Sequence, residues 1–188
     1  MRLGILLSCL LLSACLGSPE GVNAINGFDK QRYLGRWYEV ARLDHSFERG
    51  LSNVTADYSL REDGGVRVIN RGYSDVEGAW QDAEGKAYFI ADEQRGHLKV
   101  SFFGPFYGSY IIFEMDAVDY QYAFIAGNST DYLWLLARTP EISQELREHF
   151  LQRITALGFD PEGLIFVKQE LNSRAEASSR FIEPSSVQ

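Results

Sequence analysis

Few residues in this chain can do covalent or proton chemistry. Its 188 residues include two cysteines and three histidines. His45, His97 and His149 fall on a predicted loop, a strand start and a helix, with no nucleophile motif beside them and no metal-ligand spacing. No catalytic residue, metal ligand or cofactor is assigned. Cys15 is different. Arg2 precedes an apolar run from Leu3 to Leu12 that is too short to span a bilayer, and Ser13 and Ala14 place small residues just before the thiol. This is the pattern of a bacterial lipoprotein cleavage site, where the peptidase cuts before a cysteine already carrying diacylglycerol. Residues 1–14 are therefore expected to leave as a signal peptide, with Cys15 becoming the lipidated N-terminus. One acyl chain holds a membrane only marginally, whereas two or three, palmitate among them, anchor stably. The membrane is thus an expected partner. Leu16, standing where an aspartate would favour inner-membrane retention, points to the outer membrane and a protein facing the periplasm.

Cys9 departs with the signal peptide and lipid consumes Cys15, so no disulfide is available and stability must come from packing and hydrogen bonds. A formal charge of −8 with no basic run excludes a phosphate backbone as partner, and nucleic acid with it.

Residues 15–26 are small and polar and read as anchor and linker. From Trp37 onward, runs rich in valine, isoleucine, tyrosine and phenylalanine alternate with glycine, aspartate and asparagine clusters, which predicts strands at about 37–44, 53–61, 66–74, 85–91, 97–103, 109–116, 122–127 and 131–138. Eight strands with tight connections predict an all-β, up-and-down antiparallel barrel, which has no exposed edge and can hold one small ligand. Thr139-Pro140 then offers a helix start. Ile142, Leu146, Phe150, Ile154 and Leu157 recur at helical spacing up to Gly158, giving one amphipathic helix packed outside the barrel. Leu164 to Val167 reads as a last short strand. The domain is expected over 27–169, with 170–188 a disordered tail.

Three ordered motifs carry a family resemblance. Gly35-Arg36-Trp37-Tyr38-Glu39 resembles the glycine-x-tryptophan signature of lipocalins, Asp119-Tyr120 with Tyr122 resembles their sixth-turn motif, and Arg138 ends the eighth strand before the helix. Finer runs, among them Phe47-Glu48-Arg49-Gly50-Leu51 and Phe102-Phe103-Gly104-Pro105-Phe106-Tyr107-Gly108, are similar to the bacterial outer-membrane branch of that family and to apolipoprotein D. The resemblance implies that Trp37 and Arg138 stack at the closed end, braced by Asp119 and Tyr120, and that a homodimer can form. It also implies fatty acids or lysophospholipids as ligands, stored or transported without chemistry. A ligand-free structural envelope protein and a lipid-modifying enzyme are the alternatives. An open apolar cavity would favour carriage and a filled barrel would favour the structural role.

Strand parity locates the lumen. With Arg138 inward at the floor, Leu136, Trp134 and Tyr132 turn inward toward the mouth. Alternation places Val54, Ala56, Tyr58 and Leu60 on one side of their strand, Leu98, Val100 and Phe102 on one side of theirs, and Val66, Val68 and Asn70 in a third inward row. The small Ala56, Ala87, Ala91, Ala123 and Ala126 leave room among the aromatics. Trp134, Tyr132, Leu136, Ala56, Tyr58, Val54, Val68, Asn70, Val100 and Phe102 are thus the expected ligand contacts. His45 and Arg49 are candidates for an anionic headgroup, with a solvated loop charge as the plainer expectation. Asp116-Ala117-Val118-Asp119 carries one residue more than the family pattern. Glu114 therefore faces the lumen with Tyr110 and Ile112 if the face is kept, and the outside if the extra residue reverses it.

Overall fold

The computed structural model describes residues 17–174. The signal peptide, Cys15 and the tail beyond 174 lie outside the described residues. A short helix α1 (Lys30–Tyr33) leads into β1 (Gly35–Leu43), β2 (Leu51–Leu60), β3 (Val66–Ser74), β4 (Ala79–Phe89), β5 (His97–Ser101), β6 (Gly108–Met115), β7 (Tyr122–Ala126) and β8 (Leu133–Ala137). Helix α2 (Gln144–Ala156) and a short β9 (Leu164–Phe166) follow. Neighbours in sequence pair antiparallel from β1 through β8, and β1 also pairs with β8, which closes the barrel. β9 adds to the outer part of β1, Leu43 opposite Leu164.

Alternation divides the core in two. Inward side chains including Trp37, Ala56, Tyr58, Val68, Ile112 and Leu136 form the lumen cluster. Outward ones including Ala41, Ile111, Phe124 and Leu135 pack against Phe150 and Ile154 of α2, both fully buried. The 3.6-residue period of the helix meets the two-residue period of the wall along one apolar stripe.

Several expectations are corrected. The helix begins later than Thr139-Pro140 suggests, because Ser143 caps it by accepting from the Leu146 amide at 3.2 Å, while Thr139 Oγ1 donates to the Glu141 carbonyl. β4 starts at Ala79 instead of 85. Its first six residues are all exposed and half of them polar, with no alternating apolar face, so hydrophobic patterning is silent there, yet they pair with Ile69 to Ser74. Leu60, expected inward, is exposed at the end of β2. Residues 17–26 are not a free spacer. Val22 and Ala24 are buried against the outer core, the Ile25 amide donates to the Ile112 carbonyl, and Asn26 bridges Arg95. The described start of the expected tail, residues 170–174, is helical, and the Leu171 amide donates to Asn53 Oδ1 at 2.9 Å.

Candidate functional site

At the floor, Gly35 turns the chain into β1 with φ +91°, a conformation that side chains rarely adopt, and Trp37 follows two residues on. Trp37 is fully buried and its Nε1 donates to the Tyr33 carbonyl at 2.8 Å. The Arg138 guanidinium lies 3.9 Å from the indole ring centre and donates to the carbonyls of Arg36, Arg32 and Tyr120, at 2.8, 2.7 and 3.3 Å. One cation thereby ties α1, β1 and the 116–121 turn together and seals the end of the barrel.

The turn is braced differently from expectation. Asp119 is exposed, and the Asp116 carboxylate does the bracing: it accepts from the amides of Val118, Asp119 and Gln121. Those backbone donors hold the Asp116 carboxyl below its usual range against the opposing effect of desolvation. Tyr120 is buried at φ +55°, with its hydroxyl accepting from the Asp29 amide at 3.0 Å.

Above the floor is a cavity of about 490 Å³, which reaches the loops 44–50, 102–107 and 127–132 at the mouth. The ten side chains expected as ligand contacts all line it. β2 contributes Val54, Ala56 and Tyr58, β3 contributes Val68 and Asn70, and Val100 and Phe102 come from β5 and the residue after it. β8 contributes Trp134 and Leu136, preceded by Tyr132. Ala87 also opens onto the space, whereas Ala126 faces the outer core and Ala91 sits in a turn at φ +71°. Gly85 is needed beside the lumen because a Cβ there would come within 2.8 Å of the Phe102 ring.

The wall also holds a polar cluster that parity alone does not reveal. Between Glu39 and Ala41 the pairing of β1 with β8 shifts by one residue, and this bulge brings Glu39 and Arg42, three apart in a strand, to the same side. Arg42 Nη1 donates to Glu39 Oε1 at 2.6 Å and Nη2 to the Glu48 carbonyl at 2.8 Å, while Trp134 Nε1 donates to Glu48 Oε2 at 3.1 Å. All three charged side chains are buried. Burial first, and then the Glu48 charge, push the Glu39 carboxyl well above the usual carboxylate range, with Arg42 opposing. Burial likewise raises Glu48, against the Trp134 donor and the Arg42 charge. Two carboxyls thus share one cation, Arg42, in an apolar wall, and burial pushes both of them up.

His45 stacks on Phe47 with ring centres 4.0 Å apart, and its Nε2 lies 3.2 Å from Glu48 Oε2. Burial, aided by the Arg42 charge, drops its pKa to about 4, so at neutral pH this contact is not an ion pair. Arg49 remains on the surface, bound to Asp44 at 2.7 Å. His97 begins β5 and His149 meets Glu114 on the outer surface, so the histidines stay apart. Glu114 faces outward: Phe113 is the extra residue of a bulge between Ile112 and Glu114, and Arg153 Nε donates to Glu114 at 2.8 Å. The register change thus lies inside β6, before the turn that signalled it.

Deeper in the lumen, the Tyr110 hydroxyl bonds those of Tyr33 and Tyr58, at 2.7 and 2.9 Å. Burial raises the pKa of all three, so they stay neutral. Tyr33 reaches the lumen from α1, outside the strand pattern, and Tyr110 enters from the mouth half of β6. Asn70 Oδ1 and Ser101 Oγ are buried on the cavity wall without a partner among the described residues. Chemically, the arrangement is a mostly apolar tube with a few hydrogen-bonding groups, Glu39 and Glu48 of the buried cluster among them, shaped to hold a molecule that is mostly hydrocarbon.

The lipocalin-like domain family matches residues 28–169. The chain is 55% identical over 171 residues to the outer membrane lipoprotein Blc of Vibrio cholerae, covering 90% of this chain and 100% of that one. It is 52% identical over 164 residues to the outer membrane lipoprotein Blc of Escherichia coli, covering 86% and 92%, and 32% identical over 171 residues to mouse apolipoprotein D, covering 84% of each. Among solved structures, insecticyanin from the tobacco hornworm Manduca sexta superposes with a TM-score of 0.64 at 20% identity, covering 81% of this chain and 86% of that one, a likeness of fold. The family match begins at the floor residue Phe28 and runs through every strand that walls the lumen, so the chain belongs to the lipocalin family.

Proposed function

We propose that this lipocalin is an outer-membrane lipoprotein, anchored through Cys15 and facing the periplasm, that holds one lipophilic molecule in its barrel and performs no chemistry on it. The observation that carries the proposal is the open apolar lumen of about 490 Å³, a size suited to a small ligand and one that a purely structural barrel has no need to keep. Fatty acids and lysophospholipids suit it best. Each methylene buried there contributes about 0.8 kcal/mol, while the polar head stays at the mouth. Val54, Ala56, Tyr58, Val68, Val100, Phe102, Tyr132, Trp134 and Leu136 are the proposed acyl-chain contacts, and Asn70 offers its unpartnered carbonyl to a hydroxyl or protonated head. The relatives named outer membrane lipoproteins support the location.

Mass spectrometry of lipids extracted from the purified protein identifies the natural class, and titration of fatty acid or lysophospholipid should change Trp134 fluorescence. Ala56→Trp supplies the sharper test, because an indole at this position on the cavity wall occupies the acyl path. A folded variant with affinity reduced tenfold or more, about 1.4 kcal/mol, is expected. Unchanged affinity in a normally folded variant would put the ligand outside the barrel.

A further inference from the structure

We infer that the barrel sits mouth-down on the bilayer that receives its anchor, with the loop 102–107 seated in the lipid interface. The inference rests on the lipidation of Cys15 proposed above. The path of the N-terminal chain carries it. The Gly17 carbonyl accepts from Ser109 Oγ at 2.9 Å, beside the mouth end of β6, and the segment then runs down the outside of the barrel through Ile25 and Asn26 to Phe28 at the floor. Because Val22 and Ala24 are buried along the way, this stretch is not slack tether. Only Leu16 stands between Gly17 and Cys15, and two residues of extended chain reach at most about 7 Å. The floor lies the length of β6 away, roughly 25 Å for eight residues. A lipid on Cys15 therefore enters the membrane beside the mouth and cannot do so beside the floor.

The surface at that end suits the interface. Phe103 and Phe106 are each 76% exposed, and Phe47 is 54% exposed on the neighbouring rim. Residues 102–107, Phe-Phe-Gly-Pro-Phe-Tyr, carry no charge in a chain of net charge −8. Exposed phenylalanines on an uncharged loop are costly in water and favourable at the headgroup–acyl boundary. Of the acidic residues on the mouth loops, Asp44 is paired with Arg49 and Asp75, Glu77 and Asp131 lie on other loops than 102–107, so the barrel should tilt toward the 102–107 side, away from anionic headgroups. In this pose a single-chain lipid passes between leaflet and lumen without crossing open water.

The test uses the processed protein, lipidated at Cys15 and without residues 1–14, on vesicles of phosphatidylethanolamine and phosphatidylglycerol. Phe103→Cys at the mouth and Val118→Cys at the floor replace side chains of equal exposure, 76% each, and with Cys15 blocked by lipid each variant has one thiol for an environment-sensitive fluorophore. Expected is a blue shift and several-fold stronger quenching by spin-labelled lipid at position 103 than at 118. Equal quenching, or stronger quenching at 118, in protein that floats with the vesicles would overturn the orientation and leave the anchor standing. Failure to float would remove the anchor and the orientation together. Efficient disulfide cross-linking between copies through position 103, without lipid quenching, would assign the mouth to a second copy and also overturn the proposal.

Discussion

Arg138 shows how much one side chain can hold: its guanidinium satisfies three carbonyls and covers an indole, and each of those partners is left wanting when it is removed. Arg138→Ala and Trp37→Ala should each lower stability by about 1–4 kcal/mol in urea denaturation, through orphaned carbonyls in the first and a cavity in the second. Affinity for an acyl ligand should fall only as the fold does, since neither side chain lines the cavity; abolished binding at wild-type stability would make them ligand contacts. His45 makes a separate prediction. Its folded pKa of about 4 lies below the ordinary 6.5, so between those values the unfolded chain takes up a proton that the folded chain refuses. Its contribution is complete above about pH 6.5 and is lost as pH falls toward 4. Glu39 and Glu48, raised by burial, act in the opposite sense, their contribution being lost as pH rises through their folded range. The comparison of His45→Phe with wild type isolates the histidine: the drop in urea midpoint from pH 7 to pH 4.5 should be smaller in the variant.

Bulges are the elements that place the polar groups here. In β2 the pairing with β3 shifts between Ser52 and Thr55, where Asn53 adopts φ +53°. The chain after β9 docks on this irregularity. The Asn53 amide donates to the Lys168 carbonyl at 2.7 Å, its side-chain carbonyl accepts from Leu171, and Gln169 Nε2 donates to the carbonyls of Glu39 and Val54. Asn53→Ala should cost about 2–4 kcal/mol, combining a left-handed backbone with the part-buried Leu171 amide left unpaired. Asn53→Gly keeps the backbone conformation without strain and should recover part of the loss. If glycine and alanine are equally destabilising, the backbone contributes nothing and the hydrogen bonds account for the whole effect.

At the scale of the molecule, the proposed function makes the barrel, the anchor and the lumen one device, in which lipid on Cys15 would fix the protein to a membrane and the cavity would take what that membrane contains. Cys15→Ser should abolish acylation and move the protein from the detergent-rich to the aqueous phase in a detergent partition. Wild-type protein found in the aqueous phase would refute the anchor. The serine variant, if folded, should still bind lysophospholipid in solution, because no wall of the cavity depends on the N-terminal cysteine.

Period-two alternation was enough to give the barrel and to turn Trp134, Ala56, Tyr58 and their neighbours inward, because burial acts on every second residue of a strand wherever pairing is regular. The Arg138–Trp37 floor and the helix stripe were legible for a similar reason: each depends on residue type and local spacing. What escaped lies where the period breaks or where distant segments meet. The bulge in β1 joins Glu39 to Arg42, and the bulge in β6 turns Glu114 outward. Tyr33 enters from a helix, and the exposed start of β4 is held by its partner strand. Residues 17–26 look like a spacer because their few apolar groups are small, yet a barrel wall and the end of α2 bury them. One inserted residue reverses every later side chain in a strand, and no local pattern records where pairing absorbs it; only the closed barrel decides.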